Sequence, residues 1–275
     1  MVLSEYGRLR WVALAIPALD AFNHLRYPAE ASFVEIPDVR KVQEEMNAYC
    51  QLLTWLGVKV SRFYYEEYPN QIFLRDLAFA FPDRTLLAKP KYPVRDGEQD
   101  RLKDFLVSVG VATTEQPNGT FEAADVLVTS PDQMVVAVGN RTSEQGIGAL
   151  VRIAAQNYMH VKEIAAIDSD IPQHLLGHKH IVGPDFMLSR YQLSDDDLGM
   201  RDVLCLPETE EIVKGYAMNI VTVAENTIIM PAGCPRTRNI YVLEGLTVYE
   251  TPMTEIHKMG GGLACITLPL QRDDP

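Results

Sequence analysis

The chain has 275 residues, 47% of them hydrophobic, which is enough to bury a large core. Its formal charge of -12 and pI near 5.0 argue against a nucleic-acid groove or an anionic membrane face as the working surface, while a small cationic ligand suits that field. The four cysteines, Cys50, Cys205, Cys234 and Cys265, lie far apart with no CxxC pair, so they read as free thiols rather than as a disulfide framework or a structural zinc site.

In chain order, the opening segment "MVLSEYGRLRWVALAIPALD" holds an apolar run of the wrong length and flanks for a spanning helix and no convincing cleavage site, so the chain reads as cytoplasmic. Residues 9–16 read as a strand. Residues 39–56 carry Val42, Met46, Cys50 and Leu53 at helical spacing and end at Gly57, as a helix should. Strands are expected at 58–65, 72–81 and 85–88, then a short helix at 100–109. Residues 126–129 and 134–138 read as strands joined by a tight reversal at Ser130, Pro131, Asp132 and Gln133. A helix at 142–156 and strands at 161–167 and 181–191 follow; residues 203–268 read as mostly β, with a helix near 253–259. That makes roughly five β/α modules of about fifty residues with no linker between them, which predicts a single α/β domain over 1–275.

Five features can carry chemistry. Cys265 stands behind the glycines of "GGGLAC", which let backbone approach a ligand closely; a thiol becomes a nucleophile only when its pKa is lowered, and the same pattern also fits a buried structural cysteine. "DSDIPQHLLGHKH" places His174, His178 and His180 after Asp168 and Asp170, as a metal site or a catalytic base would, or as a solvated loop. Pro172 and Gly177 argue against the regular helix that would align His174 with His178. "NQIFLRD" sets Asp76 in an otherwise apolar run, where a carboxylate needs a cation, either Arg75 or a ligand. "FEAADVL" carries Glu122 and Asp125 ahead of a strand, and "GNRTSEQG" puts Arg141 at a strand end.

In this order, these motifs resemble the guanidine-modifying enzyme (pentein) superfamily, which includes arginine deiminases, dimethylarginine dimethylaminohydrolases and amidinotransferases. "SEYGRLRWVAL" and "EIHKMGGGLACITLPLQR" resemble the start and end of an arginine deiminase; "RTSEQG" and "HLLGHKHIVGP" are closer to the dimethylarginine hydrolases, as is the compact length. The resemblance implies a five-bladed α/β propeller of ββαβ modules around a central active-site channel. It implies no cofactor and no metal, a small guanidino substrate as partner, and a fold that allows a homodimer.

The resemblance also implies roles. Cys265 would attack the guanidinium carbon to give a covalent thiouronium-type intermediate, His174 would act as acid and base, and Glu122 would orient the imidazole. A guanidinium is a fixed fork of five donors, so Asp76 is the expected carboxylate partner, and the bound cation would favour thiolate at Cys265. Arg141 would hold the substrate carboxylate, Asn70 and Phe73 would line the channel, and Asn219 of "AMNIVTV" would contribute. Lys89 stands before Pro90 where dimethylarginine hydrolases have an Arg-Pro step, and is expected at the amino-acid end of the substrate. Three further departures stand out: Leu176 where arginine deiminases show the Asp of His-Leu-Asp, Asn70 after Pro69 in place of Asp, and Ala264 before the nucleophile in place of the His of some relatives.

The activity implied is hydrolysis of arginine or an Nω-substituted arginine. Amidino transfer to an amine shares the intermediate and remains an alternative, as does a catalytically silent binding protein. A metal-dependent hydrolase built on Asp168, Asp170 and the histidines lacks the usual paired acid-histidine motifs.

Overall fold

The computed structural model describes residues 4–114, 117–139, 141–165, 174–190 and 198–274. Strand β1, Leu9–Pro17, comes first, with Val12, Ala13, Leu14 and Ala15 wholly buried, as in a strand covered on both faces. Helix α1, Val39–Trp55, is capped by Asp38, whose carboxylate accepts from the amides of Arg40 and Lys41. Its buried face carries Val42, Met46, Cys50 and Leu53, and Gly57, at φ +82°, supplies the left-handed turn that ends it. Strand β2 is Lys59–Tyr65. Next come α2 (Leu74–Leu77), β3 (Ala78–Ala80), β4 (Thr85–Leu87) and α3 (Glu98–Ser108). The middle of the chain forms β5 (Val126–Ser130), β6 (Gln133–Val138), α4 (Gly148–Gln156), β7 (His160–Ala165), β8 (Lys179–Ile181), β9 (Phe186–Ser189) and β10 (Asp202–Cys205). The last part forms α5 (Glu210–Val213), β11 (Val221–Ala224), β12 (Thr227–Pro231), α6 (Pro235–Leu243), β13 (Thr247–Thr251), α7 (Thr254–His257), α8 (Leu263–Ile266) and β14 (Leu268–Arg272).

These strands make five small sheets in a mixed α/β fold. One pairing scheme recurs: an antiparallel pair, then a parallel partner. It holds for β5-β6-β7, for β8-β9-β10 and for β11-β12-β13. In the β3-β4 sheet the parallel partner shrinks to a single bridge between Thr85 and Thr113. The remaining sheet draws its antiparallel strand from the far end of the chain, because β14 pairs with β1 from Leu9 opposite Arg272 to Ala13 opposite Leu268, while β2 runs parallel on the other side. Arg272 Nη1 donates to the Gly7 carbonyl at 2.8 Å. That pairing gives the run after Cys265 a sheet partner.

Several sequence expectations need correction. Residues 72–81 are not one strand: the amide of Asp76 turns back to the Phe73 carbonyl, α2 follows, and only Ala78–Ala80 extends. The polar side chains explain the break, since buried Asn70, Arg75 and Asp76 each reach a partner that an extended chain would miss. The helix expected at 142–156 begins only at Gly148, because the Thr142 hydroxyl is held by Asp125 Oδ2 at 2.7 Å and residues 143–146 form a turn. The expected strand at 181–191 is split by a turn at Gly183–Phe186 into β8 and β9, and Tyr191 lies outside the described residues. The stretch expected to be mostly β also holds α6, opened by Pro235 in its first turn, and α8, which carries Cys265. Among the described residues, no helix is long and apolar enough to cross a membrane.

Candidate active site

A cavity of about 130 Å³ collects residues from distant parts of the chain. One wall is the segment around Cys265. Helices α1 and α7 cap each other: Glu45 of α1 accepts from the amides of Glu255 and Ile256, and Glu255 accepts from the Asp38 amide at 2.9 Å. This fixes the start of the glycine loop. Gly260 has φ +83°; a Cβ on Gly261 would lie 2.3 Å from the Phe73 ring, and one on Gly262 would lie 2.8 Å from the Asn219 amide. Asn219 then ties Cys265 down, its Oδ1 accepting from the Ala264 amide at 2.7 Å and its Nδ2 donating to Cys265 Sγ at 3.3 Å. The turn that presents Asn219 closes on Tyr216, a non-glycine residue at φ +52° whose ring stacks on His257 at 4.5 Å.

The facing wall is charged. Asp76 on α2 accepts from Arg95 Nη1 at 2.7 Å through Oδ2, while its buried Oδ1 has no hydrogen-bond partner among the described residues. Arg95, in the short turn Pro93–Arg95, also donates to Glu98 Oε2 at 2.8 Å. Glu122 Oε2 is shared by His174 Nε2 at 2.6 Å and Arg141 Nη1 at 3.2 Å, and His174 Nδ1 lies 3.7 Å from Asp76 Oδ1. Asp125, the second acid of ExxD, accepts from the Thr142 hydroxyl and from the Leu175 amide, and so fixes the backbone just after His174.

These contacts set the protonation states. Burial would lower the His174 pKa, but Asp76, Asp125 and Glu122 override it and raise it to about 9. Burial opposes ionisation of Glu122, yet His174, Arg95 and Arg141 hold its carboxyl well below the usual range. Burial and then Asp76 push the Cys265 thiol up, against the Gly262 backbone, the Asn219 amide and Arg95. A cation beside Asp76 removes one of the two effects that keep the thiol protonated.

Seven of the predicted site residues line this one cavity: Asn70, Phe73, Asp76, Arg141, His174, Asn219 and Cys265. Glu122 stands behind, on His174. Lys89 is the exception: its side chain is exposed and does not line the cavity, and its backbone pairs with Phe121. Tyr92 and Arg95, from the turn that follows, occupy that side instead. Arg75 is not the partner of Asp76; it turns to Glu5 and the Val126 carbonyl. Arg141 lies over the Tyr92 ring, and its buried Nε has no partner among the described residues. Asp168 and Asp170 lie outside the described residues, and His178 and His180 are buried, the first lowered to about 4 and the second to about 3 chiefly by burial. Asp76, Glu122 and His174 each offer one ligand atom within 4.8 Å of the others, but Arg95 and Arg141 already face the two carboxylates and would repel a metal ion there. Arg95, Glu98 and Tyr216 escape the sequence reading. The i,i+3 spacing of Arg95 and Glu98 was the one available signal.

The family described as arginine deiminase matches residues 31–175. The N(G),N(G)-dimethylarginine dimethylaminohydrolase of Pseudomonas aeruginosa is 24% identical over 240 residues, spanning 84% of this chain and 89% of its own length. The Bacillus subtilis protein YkgA is 25% identical over 98% of this chain and 95% of its own. Among solved structures, the P. aeruginosa dimethylarginine dimethylaminohydrolase bound to citrulline superposes with a TM-score of 0.80 at 22% identity, covering 95% of this chain and 99% of that one. The N-terminal domain of the cyanobacterial arginine dihydrolase ArgZ gives 0.78 at 19% identity, covering 95% of this chain and 97% of that domain. With more than half of its length matched, the chain belongs to the arginine deiminase family.

Proposed function

We propose that the protein is a cysteine-dependent hydrolase of guanidino compounds, with Nω-substituted arginines as the preferred class. The observation that carries this reading is the convergence, in one cavity, of Cys265, the unpartnered oxygen of Asp76 and a His174–Glu122 pair. A guanidinium seated on Asp76 Oδ1 puts its cationic carbon beside Cys265 and lets the thiol ionise. The sulfur attacks that carbon to form a C–S bond. His174, protonated at neutral pH, gives its proton to the departing amine as the C–N bond breaks, and Glu122 holds the ring. Water then adds to the same carbon and gives one proton to His174; as the C–S bond breaks, the remaining hydroxyl proton passes to the departing sulfur, which restores the thiol and leaves a ureido product.

Leu176 supports the substituted substrate. It is 7% exposed and lines the cavity where arginine deiminases carry an Asp, so its side chain offers no acceptor to a free N–H and an apolar surface to an N-alkyl group. Arg141, with its buried unpartnered Nε, is the proposed holder of the substrate carboxylate. The five sheets are, on this reading, the blades of one α/β propeller with the cavity on its axis, in a single cytoplasmic domain. The fold is also similar to the amidinotransferase SxtG of Microseira wollei, with a TM-score of 0.74 at 17% identity over 99% of this chain and 97% of that one.

The test is turnover of arginine, N-methylarginine and N,N-dimethylarginine, with citrulline, ammonia and alkylamine followed by mass spectrometry, for the wild type and Cys265→Ser. Citrulline and alkylamine are expected from the wild type, with no effect of chelators. Cys265→Ser is expected to be folded and inactive, because a hydroxyl keeps its proton where a thiol does not. Retained activity in that variant would sink the covalent mechanism, and product that forms only with an added amine would indicate amidino transfer.

A further inference from the structure

Arg95 is a buried cation with carboxylates on several sides. Its Nε donates to Glu98 Oε2 at 2.8 Å, its Nη1 to Asp76 Oδ2 at 2.7 Å with Glu122 Oε2 3.9 Å away, and its Nη2 to the Phe73 carbonyl at 3.4 Å. A guanidinium is a rigid planar fork, so fixing Nε fixes the directions of both Nη groups. Glu98 is the residue that fixes Nε. It is 0% exposed, heads α3 three residues after Arg95, and is anchored through its own carbonyl by Gln71 Nε2 at 3.1 Å.

We propose that Glu98 is a positioning residue of the guanidinium pocket: by holding Arg95 through Nε it confines that cation to one oxygen of Asp76 and leaves Oδ1 for the substrate. The inference rests on the preceding reading in taking Asp76 Oδ1 as the anchor of the guanidinium. Released from Glu98, Arg95 can turn its fork onto both oxygens of Asp76, the bidentate arrangement that a guanidinium and a carboxylate favour. A resident cation then occupies the place that the substrate needs.

Protonation gives a way to see this in the unaltered pocket. Burial holds the Glu98 carboxyl at about 7, with Arg95 opposing the rise and Asp76 and Glu122 adding to it. Tyr65 on β2 also faces Glu98; burial and then Glu98 keep its hydroxyl protonated. His174, raised to about 9, stays charged across the same range. Acidification through neutrality therefore neutralises Glu98, loosens its hold on Arg95 and weakens guanidinium binding.

The experiment is calorimetric titration of full-length Cys265→Ala, which has no thiol lining the cavity and no turnover, with N,N-dimethyl-L-arginine and L-arginine as probes. Affinity is expected to fall on the order of tenfold between about pH 8 and about pH 6. Cys265→Ala/Glu98→Gln is expected to bind at the weak level throughout, with no inflection. Glu98→Asp, which keeps an ionisable group, is expected to retain the inflection. A pH-independent affinity in Cys265→Ala overturns the proposal without any Glu98 variant having to fold. So does an inflection that survives Glu98→Gln, tight binding by that variant at about pH 8, or failure of both probes to bind. Probe binding with no turnover by the wild type would instead remove the hydrolase reading and leave the role of Glu98 standing.

Discussion

His174 lines the larger cavity beside Asp76 and Glu122 and is raised to about 9, whereas His180, six residues on, lines a smaller cavity of about 30 Å³ with Arg75 and Arg272 and is lowered to about 3. Burial depresses both rings. What separates them is the sign of their neighbours: acidic groups override burial at His174, while at His180 Arg75 adds to it, against two backbone carbonyls. Leu176 and Ala264 line both cavities and form the wall between them. The comparison shows why His174 rather than His180 is the ring proposed for proton transfer. The acid needs a carboxylate behind it, and sequence proximity supplies none.

The comparison is broken most severely by removing charge from the acidic side. Asp76→Asn keeps the shape of the group but leaves a bound guanidinium without its counter-charge, a loss of roughly 3–5 kcal/mol, or about two to four orders of magnitude in kcat/KM. Steady-state kinetics on dimethylarginine checks this, and a variant within a few-fold of wild type would show that Asp76 serves Arg95 alone. Glu122→Gln is the next largest. It removes the hydrogen-bonded charge behind His174, so the histidine pKa should drop from about 9 toward its ordinary value and kcat should fall by on the order of 10²-fold. The alkaline limb of the pH–rate profile should move down with it, and an unmoved limb would mean that Glu122 does not tune the acid.

The smallest effect is on stability, and here the two histidines should act in opposite directions. His174 is raised above its unfolded value of 6.5, so its contribution is complete below that pH and is lost as pH rises through about 9. His180 is lowered, so the unfolded chain takes up a proton that the folded one refuses, and stability falls as pH drops from 6.5 toward about 3. Tm measured against pH should show the alkaline decline flattened in His174→Gln and the acid decline flattened in His180→Gln. His180→Gln should also keep kcat within a few-fold of wild type, and a large loss would place the smaller cavity in the mechanism.

How much of this could be read from letters alone depended on where each side chain found its partner. Cys265, His174, Glu122 and Asp76 sit in short motifs whose order carries the resemblance, and the structure brings all four together. Arg95 and Glu98 sit in "YPVRDGEQD", a stretch with no apolar period, and matter only because the turn before α3 folds back under Asp76. Lys89 went the other way: its step before Pro90 stands where dimethylarginine hydrolases have Arg-Pro, yet the backbone bridge to Phe121 leaves its side chain exposed. The apolar run at 72–81 looked like a strand because hydrophobicity cannot distinguish a buried turn of helix from a buried strand. The polar residues within it decided otherwise.

The pairing of β14 with β1 has a consequence for the order in which the molecule is made. Cys265 is carried between α7 and β14, and β14 finds its place only beside a strand some 260 residues earlier, with 265 residues separating Arg272 from its acceptor on Gly7. Contacts of such separation are the slow ones, since the entropy of closing the loop is lost before the strands reward it. During synthesis the acidic wall can form from the first two-thirds of the chain while Cys265 has yet to be translated. On the proposed function, partly made chains can therefore gather the carboxylates that attract a guanidinium but cannot act on it, and activity should appear in a single step when β14 joins β1.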